Sequence, residues 1–242
     1  MKTVAIIQAR LGSIRLPGKV LHQICGQPMI SRVVDRVAQC KNIDEIVIAT
    51  TEEERDDLLV DFCKQQGWNC IRGSEMDVLS RFVVAAEKYD ADTIVRVTSD
   101  CPLVDPELVD QVVDSLGDDY DCACNFFPQR LYPRGLDAEA ITRETLLRLD
   151  REARDPRHRE HVTLKMYEQP SSFRIASVLN RLDHSYLRWT VDTKEDLELV
   201  QTIFTHFSNV DQTEFGYADV MRALSKNWQW CHINREISQK VA

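Results

Sequence analysis

Residues 4–19 of the chain are Val4-Ala5-Ile6-Ile7-Gln8-Ala9-Arg10-Leu11-Gly12-Ser13-Ile14-Arg15-Leu16-Pro17-Gly18-Lys19. The apolar start of this segment is typical of a buried β-strand, and a loop with glycines and cationic side chains follows it. Gly12 and Gly18 allow the backbone to approach a ligand closely. The charges of Arg10, Arg15 and Lys19 match phosphate oxygens. Because ligands of open α/β sheets bind at the carboxyl ends of strands, this position favours a nucleoside triphosphate over a plain surface loop.

The loop differs from two well-known phosphate-binding motifs. An ATPase P-loop has four residues between its glycines and Ser or Thr after its lysine. Here five residues separate Gly12 from Gly18, and Val20 follows Lys19. The Gly-x-Gly-x-x-Gly pattern of dinucleotide-binding proteins does not match the loop either.

The composition of the chain limits the possible partners. Its 242 residues include 39 acidic and 30 basic ones, which gives a formal net charge of −9. This balance argues against a general binder of nucleic acid or of anionic membranes. The start of the chain does not resemble a signal peptide, and no apolar run is long enough to span a bilayer. We therefore expect a cytoplasmic protein whose 8 scattered cysteines are free thiols.

Strand-like and helix-like patterns alternate along the chain, which predicts right-handed βαβ units, an α/β fold and a mostly parallel sheet. We expect a single domain over residues 1–242, with a substrate-specificity elaboration around 126–183 where the pattern loosens. The predicted strands are 3–8, 45–50, 69–71, 93–97, 120–125 and 187–191. The predicted helices are 28–38, 51–66, 74–89, one starting at 105, 142–153, 193–207 and 217–225.

Two aspartates follow predicted strands and could hold a metal ion. Asp100 comes after the strand at 93–97, and Asp192 comes after the strand at 187–191. Mg²⁺ prefers one or two protein carboxylates together with phosphate oxygens and water. The alternatives are a turn residue at Asp100 and a carboxylate facing a helix dipole at Asp192.

Other polar residues are candidates for contacts with a nucleotide or with a second, polar substrate. Ser74 and Asp77 could touch a base or ribose, although Ser-x-x-Asp is also a helix-capping pattern. The cluster at 157–161 could meet a polar substrate or lie on a solvated helix. The candidates for nucleotide contacts are Gln8, Ala9, Arg10, Gly12, Ser13, Arg15, Lys19, Ser74, Asp77 and Thr98. The candidates for substrate contacts are Asp137, Glu139, Arg159, Glu160, His161 and Arg188.

Several of these motifs together resemble those of a known family. They are residues 8–19, Ser99-Asp100-Cys101-Pro102-Leu103 and Thr190-Val191-Asp192-Thr193-Lys194-Glu195-Asp196-Leu197. With them the chain resembles the acylneuraminate and Kdo cytidylyltransferase family. Residues 73–79, 135–139 and 159–163 are similar to its branch of spore-coat polysaccharide biosynthesis cytidylyltransferase-like proteins. The similarity extends to about Asn234.

The resemblance implies a nucleotide-diphospho-sugar transferase fold, which is Rossmann-like with helices on both faces of the sheet. It implies a cytidylyltransferase that converts CTP and a sugar acid into a CMP-sugar and pyrophosphate, with Mg²⁺ as cofactor, and a homodimer. By position, Arg10, Arg15 and Lys19 would bind the triphosphate as the catalytic cations. Asp100 and Asp192 would hold Mg²⁺. We expect in-line attack by an acceptor oxygen on the α-phosphorus, helped mainly by positioning and charge stabilisation.

The chain departs from the family pattern at three positions. Gln8 stands where sugar-acid members usually have Pro, Cys101 where the Kdo enzymes have Glu, and Thr190 where the neuraminate enzymes usually have Asp. The acceptor, a sugar acid or a sugar phosphate, therefore stays open at this point. Two other functions also stay open, namely a glycosyltransferase that uses a nucleotide sugar and a non-catalytic nucleotide-binding partner.

Overall fold

A single β-sheet forms the centre of the molecule in a computed structural model that describes residues 1–210 and 214–239. Within these residues the sheet has seven strands in the order β5-β4-β1-β6-β8-β7-β9, and β2 and β3 form a separate small hairpin. The strands are β1 (Thr3–Gln8), β2 (Gln23–Ile24), β3 (Gln27–Pro28), β4 (Glu45–Thr51), β5 (Asn69–Gly73), β6 (Thr93–Thr98), β7 (Cys122–Cys124), β8 (Glu139–Thr142) and β9 (Ile175–Ser177).

Strand directions follow the expected α/β pattern with one exception. β1 pairs in parallel with β4 and β6, and β4 pairs in parallel with β5. β8 is antiparallel to both β6 and β7. Because β1 lies between two strands and is covered on both faces, its residues 4–7 are all fully buried. The mostly parallel α/β fold is confirmed, and the carboxyl ends of β1, β4 and β6 meet at one edge.

Helices cover both faces of this sheet. Ile7 packs into one apolar cluster with α1, α4, α8 and α9, whereas Ile6 packs into a second with α3, α5 and α7. Successive side chains of a strand point to opposite faces, which is why neighbouring residues join different clusters. The helices are α1 (Met29–Val37), α2 (Asp57–Gln66), α3 (Val78–Lys88), α4 (Pro106–Leu116), α5 (Arg143–Glu152), α6 (Pro156–Glu160), α7 (Leu164–Glu168), α8 (Lys194–Asn209) and α9 (Tyr217–Lys226). No helix in the described part of the chain is both long and apolar enough to cross a membrane.

Helix ends that depend on local chemistry match the sequence predictions. Gly67 ends α2 with a φ of 70°. The Asp105 carboxylate accepts a hydrogen bond of 2.9 Å from the Leu108 amide at the start of α4. Thr193 and Asp196 form a reciprocal capping box at the start of α8. These caps satisfy backbone groups that have no partner inside the helix.

One predicted strand and two predicted helix starts were wrong. The segment 187–191 is not a strand, because its backbone makes only one isolated bridge, between Arg188 and Arg134. Thr51 does not begin a helix, since its backbone continues β4 opposite Gly73 and α2 begins only at Asp57. The first segment has a strand-like composition but forms no ladder in the described structure, whereas at Thr51 pairing with β5 overrides the local helix signal. The next helix, α3, begins at Val78 rather than at residue 74.

The looser region 126–183 also adds two strands that its sequence did not predict. β8 and β9 lie on either side of β7, which covers only Cys122–Cys124 of the expected strand at 120–125. Cys122 and Cys124 are fully buried and pack in one apolar cluster. Through β8, this region reaches the edge of the sheet where the loop after β1 lies.

Candidate functional site

Lys19 lies at the centre of the candidate site, where its ammonium group joins two aspartates. Its Nζ donates hydrogen bonds of 2.8 Å each to Asp100 Oδ2, Asp192 Oδ1 and the carbonyl oxygen of Val191. Burial lowers the pKa of Lys19, but the two carboxylates outweigh it and raise this pKa above its usual value. Burial likewise raises the pKa of Asp100, and Lys19 brings it below its usual value. Both groups are therefore charged at neutral pH.

Asp192 is held by two further cations. Arg15 and Arg188 each place a terminal guanidinium nitrogen 2.8 Å from Asp192 Oδ2. Arg188 is in turn fixed by the fully buried Asp196, with contacts of 2.9 and 3.1 Å. Asn234 donates to the same Asp196 carboxylate at 2.8 Å. Asp192 thus has a defined position, set by the start of α8 and by the segment that contains Asn234.

These groups open onto a cleft of about 680 Å³ at the carboxyl ends of β1 and β6. One side is formed by the loop after β1, and the other by β8 and the residues around α6. The sequence-predicted site residues that line it are Gln8, Ala9, Arg10, Gly12, Ser13, Arg15, Lys19, Thr98, Asp100, Asp137, Glu139, Glu160, His161 and Asp192. A nucleotide and a sugar could both be accommodated in a cavity of this size.

The loop after β1 is held in place by residues outside it. The Asp56 carboxylate, which is fully buried, accepts a hydrogen bond of 2.6 Å from the Leu11 amide. Gly18 has a φ of 66° and precedes a short 3-10 helix at Lys19–Leu21. The Arg55 guanidinium lies so close to Gly12 that a Cβ there would be 2.9 Å from its Cζ. These contacts give the loop a defined conformation.

Four of the sequence-predicted residues lie outside the lining of the cleft, namely Ser74, Asp77, Arg159 and Arg188. Arg159 contacts Asp77 at 2.6 Å and Asp150 at 2.8 Å. Asp77 also caps α3 by accepting a bond of 2.9 Å from the Ser80 amide. These contacts connect three helices, so the structure gives Asp77 and Arg159 structural partners. Ser74 is exposed.

Glu139 belongs to a buried polar network that the sequence did not reveal. Its carboxylate accepts hydrogen bonds of 2.5 Å from Arg96 and from Tyr167. Arg96 Nε also donates to the Gln8 side chain at 3.1 Å, which gives this family departure a local role. A signal was present in the sequence, because an arginine inside an otherwise apolar strand needs a buried partner. Glu139, which is only 2% exposed, holds Arg96 in place, and Arg96 in turn contacts Gln8 beside the cleft.

Cys101, another departure from the family pattern, lies beside Asp100. Its sulfur is 3.2 Å from the Thr98 hydroxyl oxygen and 3.6 Å from Asp100 Oδ1. Burial, together with the Asp100 charge, raises the pKa of the thiol well above its usual value. Cys101 is therefore a neutral thiol at this end of the cleft, and a weak donor to Asp100.

Gly135 lies where two backbone segments of the site touch. It has a φ of 102°, and a Cβ there would be 2.5 Å from the backbone nitrogen of Thr190. Only glycine allows both this conformation and this approach. The close contact fixes the loop before β8 against the segment that leads to Asp192.

Replacing Gly135 with alanine is expected to destabilise the protein by about 1–3 kcal/mol, since it adds backbone strain and a clash. Urea unfolding would measure this loss. Gly26→Ala is a matched control, because Gly26 has a φ of 79° but no atom within 4 Å of the added Cβ. Equal losses in the two variants would show that the contact with Thr190 has no energetic importance.

A sequence model of the family described as "Cytidylyltransferase" matches residues 4–227. The spore coat polysaccharide biosynthesis protein SpsF of Bacillus subtilis is 37% identical over 232 residues, which cover 92% of this chain and 93% of that protein. The similarity includes the loop after β1 and both aspartates of the site, since these lie within residues 4–227.

Solved structures that are similar to this chain include two cytidylyl-transferring enzymes. A cytidylyltransferase from Leptospira borgpetersenii superimposes with a TM-score of 0.90 at 34% identity, over 100% of both chains. A CMP:2-keto-3-deoxy-manno-octonic acid synthetase complexed with CTP gives a TM-score of 0.64 at 21% identity, over 85% of this chain and 99% of that one. The second similarity concerns the fold.

Proposed function

The chain belongs to the cytidylyltransferase family, and from that premise we propose that it transfers a cytidylyl group from CTP to a sugar acid and releases pyrophosphate. The observation that carries the proposal is the convergence of Lys19, Arg15, Asp100 and Asp192 at the end of one cleft. The fold relative that was solved with CTP supports the choice of nucleotide. SpsF, by its name, supports a role in polysaccharide biosynthesis.

Arg10, Arg15 and Lys19 bind the triphosphate in this proposal. They lie on a loop that Asp56 and the 3-10 helix hold in place, so their charges are positioned before the nucleotide arrives. The acceptor hydroxyl attacks the α-phosphorus in line, a new P–O bond forms, and the bond to the pyrophosphate oxygen breaks. The hydroxyl proton leaves to water in the cleft. Catalysis comes from orientation and from charge stabilisation of the departing pyrophosphate.

Asp100 and Asp192 fit a divalent cation. Both carboxylates already converge on one cationic atom, the Nζ of Lys19, at 2.8 Å each. The Asp100 side chain is 26% exposed, so it is accessible from the cleft. Two carboxylates beside phosphate oxygens and water are the ligands that Mg²⁺ prefers. When bound, Mg²⁺ would neutralise charge on the α-phosphate and on the attacking oxygen.

The proposal also includes the setting in which the enzyme acts. We propose that it acts in the cytoplasm, and the family resemblance favours a homodimer. Its substrates are small molecules and not nucleic acid or membranes, which is consistent with a net charge of −9.

A screen for pyrophosphate release tests the reaction. Each of the four nucleoside triphosphates is incubated with sugar acids and sugar phosphates, with Mg²⁺ or with a chelator, and products are identified by mass spectrometry. We expect pyrophosphate and a CMP-sugar only with CTP, a sugar acid and Mg²⁺. Nucleotide sugars are assayed in a parallel panel, in which release of nucleoside diphosphate or monophosphate would instead indicate a glycosyltransferase. Nucleotide binding without turnover across the whole panel would indicate a non-catalytic partner.

A further inference from the structure

Arg134 is an exception among the cationic side chains that line the cleft. Within residues 1–210 and 214–239, its guanidinium makes no hydrogen bond or ion pair. The other cationic side chains of the lining all have acceptors there. These acceptors are Glu75 for Arg10, Asp192 for Arg15, Asp100 and Asp192 for Lys19, the Ala49 carbonyl for Arg81, and Glu139 for Arg96. A half-buried guanidinium without an acceptor is ready to bind an anion.

The backbone of Arg134 is attached to the segment that leads to Asp192. Its amide donates to the Leu187 carbonyl at 3.1 Å, and its carbonyl accepts from the Trp189 amide at 2.6 Å. In the same segment, the Val191 amide donates to the Asp100 carbonyl at 2.8 Å. Arg134 is therefore held at a fixed position relative to both aspartates.

The neighbouring charges leave Arg134 available to an anion in the cleft. Burial lowers its pKa, and so do the nearby charges of Arg130 and Arg188, while Asp137 raises it; the net shift is downward. Asp137 is engaged by Arg130, through a bond of 2.7 Å and a second shorter one, and is not hydrogen-bonded to Arg134. Glu139, another carboxylate of the cleft lining, is likewise engaged by Arg96.

We propose that Arg134 binds the carboxylate of the acceptor sugar acid, an inference that rests on the proposed function. In a 2-keto sugar acid, the carboxylate is attached to the anomeric carbon, which also bears the attacking hydroxyl. A site for the carboxylate must therefore lie close to the reaction centre, and Arg134 lines the same cleft as Asp100 and Asp192. The planar guanidinium matches the two oxygens of a carboxylate. Arg134 thus selects a sugar acid over a neutral sugar.

Binding of matched probes tests this role. Calorimetry compares 3-deoxy-manno-octulosonate and N-acetylneuraminate with their uncharged carboxamides, and with glucose 1-phosphate, in the wild type, Arg134→Gln, Arg134→Lys and Arg181→Gln. Arg181 is exposed and lies outside the cleft lining, so its variant controls for the loss of one charge. We expect the wild type and Arg181→Gln to prefer at least one acid to its amide by about tenfold to a hundredfold. Arg134→Gln should lose this preference, and Arg134→Lys should keep part of it.

Turnover separates this inference from the proposed function. With the acid that supports pyrophosphate release, Arg134→Gln should raise the acceptor KM about tenfold to a hundredfold and leave the CTP KM unchanged. An acid preference that survives in Arg134→Gln, or no such preference in the wild type, would overturn the inference. Tighter binding of glucose 1-phosphate than of either acid would overturn it too. Failure of the proposed function has a different signature, namely no pyrophosphate from wild type although an acid still binds through Arg134.

Discussion

Replacing Lys19 with methionine is expected to lower kcat/KM by about a hundredfold to a thousandfold and to destabilise the protein at the same time. The loss of activity follows from the loss of a cation that we propose binds the triphosphate. The loss of stability follows from its two contacts of 2.8 Å with Asp100 and Asp192. Asp192 keeps Arg15 and Arg188 as partners, whereas Asp100 loses the cation that it contacts in the described structure.

A double variant separates these two effects. In Lys19→Met/Asp100→Asn both charges are removed, so the unfolding free energy should return toward that of the wild type. Its activity should stay low, because neither the cation nor the carboxylate is restored. Unfolding in urea gives the stability, and pyrophosphate release gives the activity. If Lys19→Met kept wild-type turnover, the assignment of Lys19 to the triphosphate site would be wrong.

The parts of the fold that the sequence predicted correctly depend on local chemistry. An apolar run of four residues at 4–7 is buried on both faces, and such a run is typical of a central parallel strand. Gly67, Asp105 and the Thr193 capping box act on backbone groups a few residues away. The loop after β1 could be located for the same reason, since its glycines and cations lie close together in the chain.

The elements that were mispredicted or missed depend on partners far away in sequence. Residues 187–191 have the composition of a strand, but the described structure pairs them by only one bridge to Arg134. β8 is antiparallel because of the path of the chain through the elaboration, which no periodicity of four residues can indicate. Composition shows that a segment can pair, whereas the partner and direction depend on the whole sheet.

The same distinction applies to the charged residues of the site. The sequence predicts that Arg10, Arg15 and Lys19 bind an anion, because they lie in a glycine-containing loop at a strand end, and in the structure all three line the cleft. It could not predict that Arg188 contacts Asp196 or that Arg159 contacts Asp77, since an arginine has the same charge in a binding site and in a buried ion pair. A residue's acceptors in the folded protein decide between these roles.

Replacing Arg188 with methionine is expected to cost about 3–5 kcal/mol of unfolding free energy at pH 7. Arg188 is 8% exposed and contacts both Asp196 and Asp192, while Asp196 is fully buried. Without the guanidinium, Asp196 retains the neutral Asn234 amide and backbone donors. Activity should fall as well, because Asp192 loses a partner that fixes its position.

The effect of pH on the loss of unfolding free energy in Arg188→Met identifies the cause of that loss. Burial raises the pKa of Asp196, but Arg188, Asn234 and the Asp192 amide more than offset this, so the folded-state pKa lies below its usual value. Because the pKa of this carboxyl group is lower in the folded than in the unfolded protein, its ionisation stabilises the folded state at pH values above the unfolded-state pKa of about 3.9. This stabilisation is lost as the pH falls through the folded-state pKa. In Arg188→Met, burial should raise the pKa of Asp196. Acidification then protonates this carboxylate and removes its uncompensated charge. The difference between wild type and variant should therefore be largest at pH 7 and shrink toward pH 4.

Two variants test whether the uncompensated carboxylate causes the loss. Arg188→Met/Asp196→Asn removes both charges and should recover much of the stability, with little remaining dependence on pH. Lys64→Met breaks the exposed ion pair with Asp61 and should change stability little, since surface pairs contribute little. If Arg188→Met lost the same free energy at every pH, lost packing around its side chain would be the cause instead. In that case the double variant would be no more stable than the single one, and Arg188 would fix Asp192 through its shape rather than its charge.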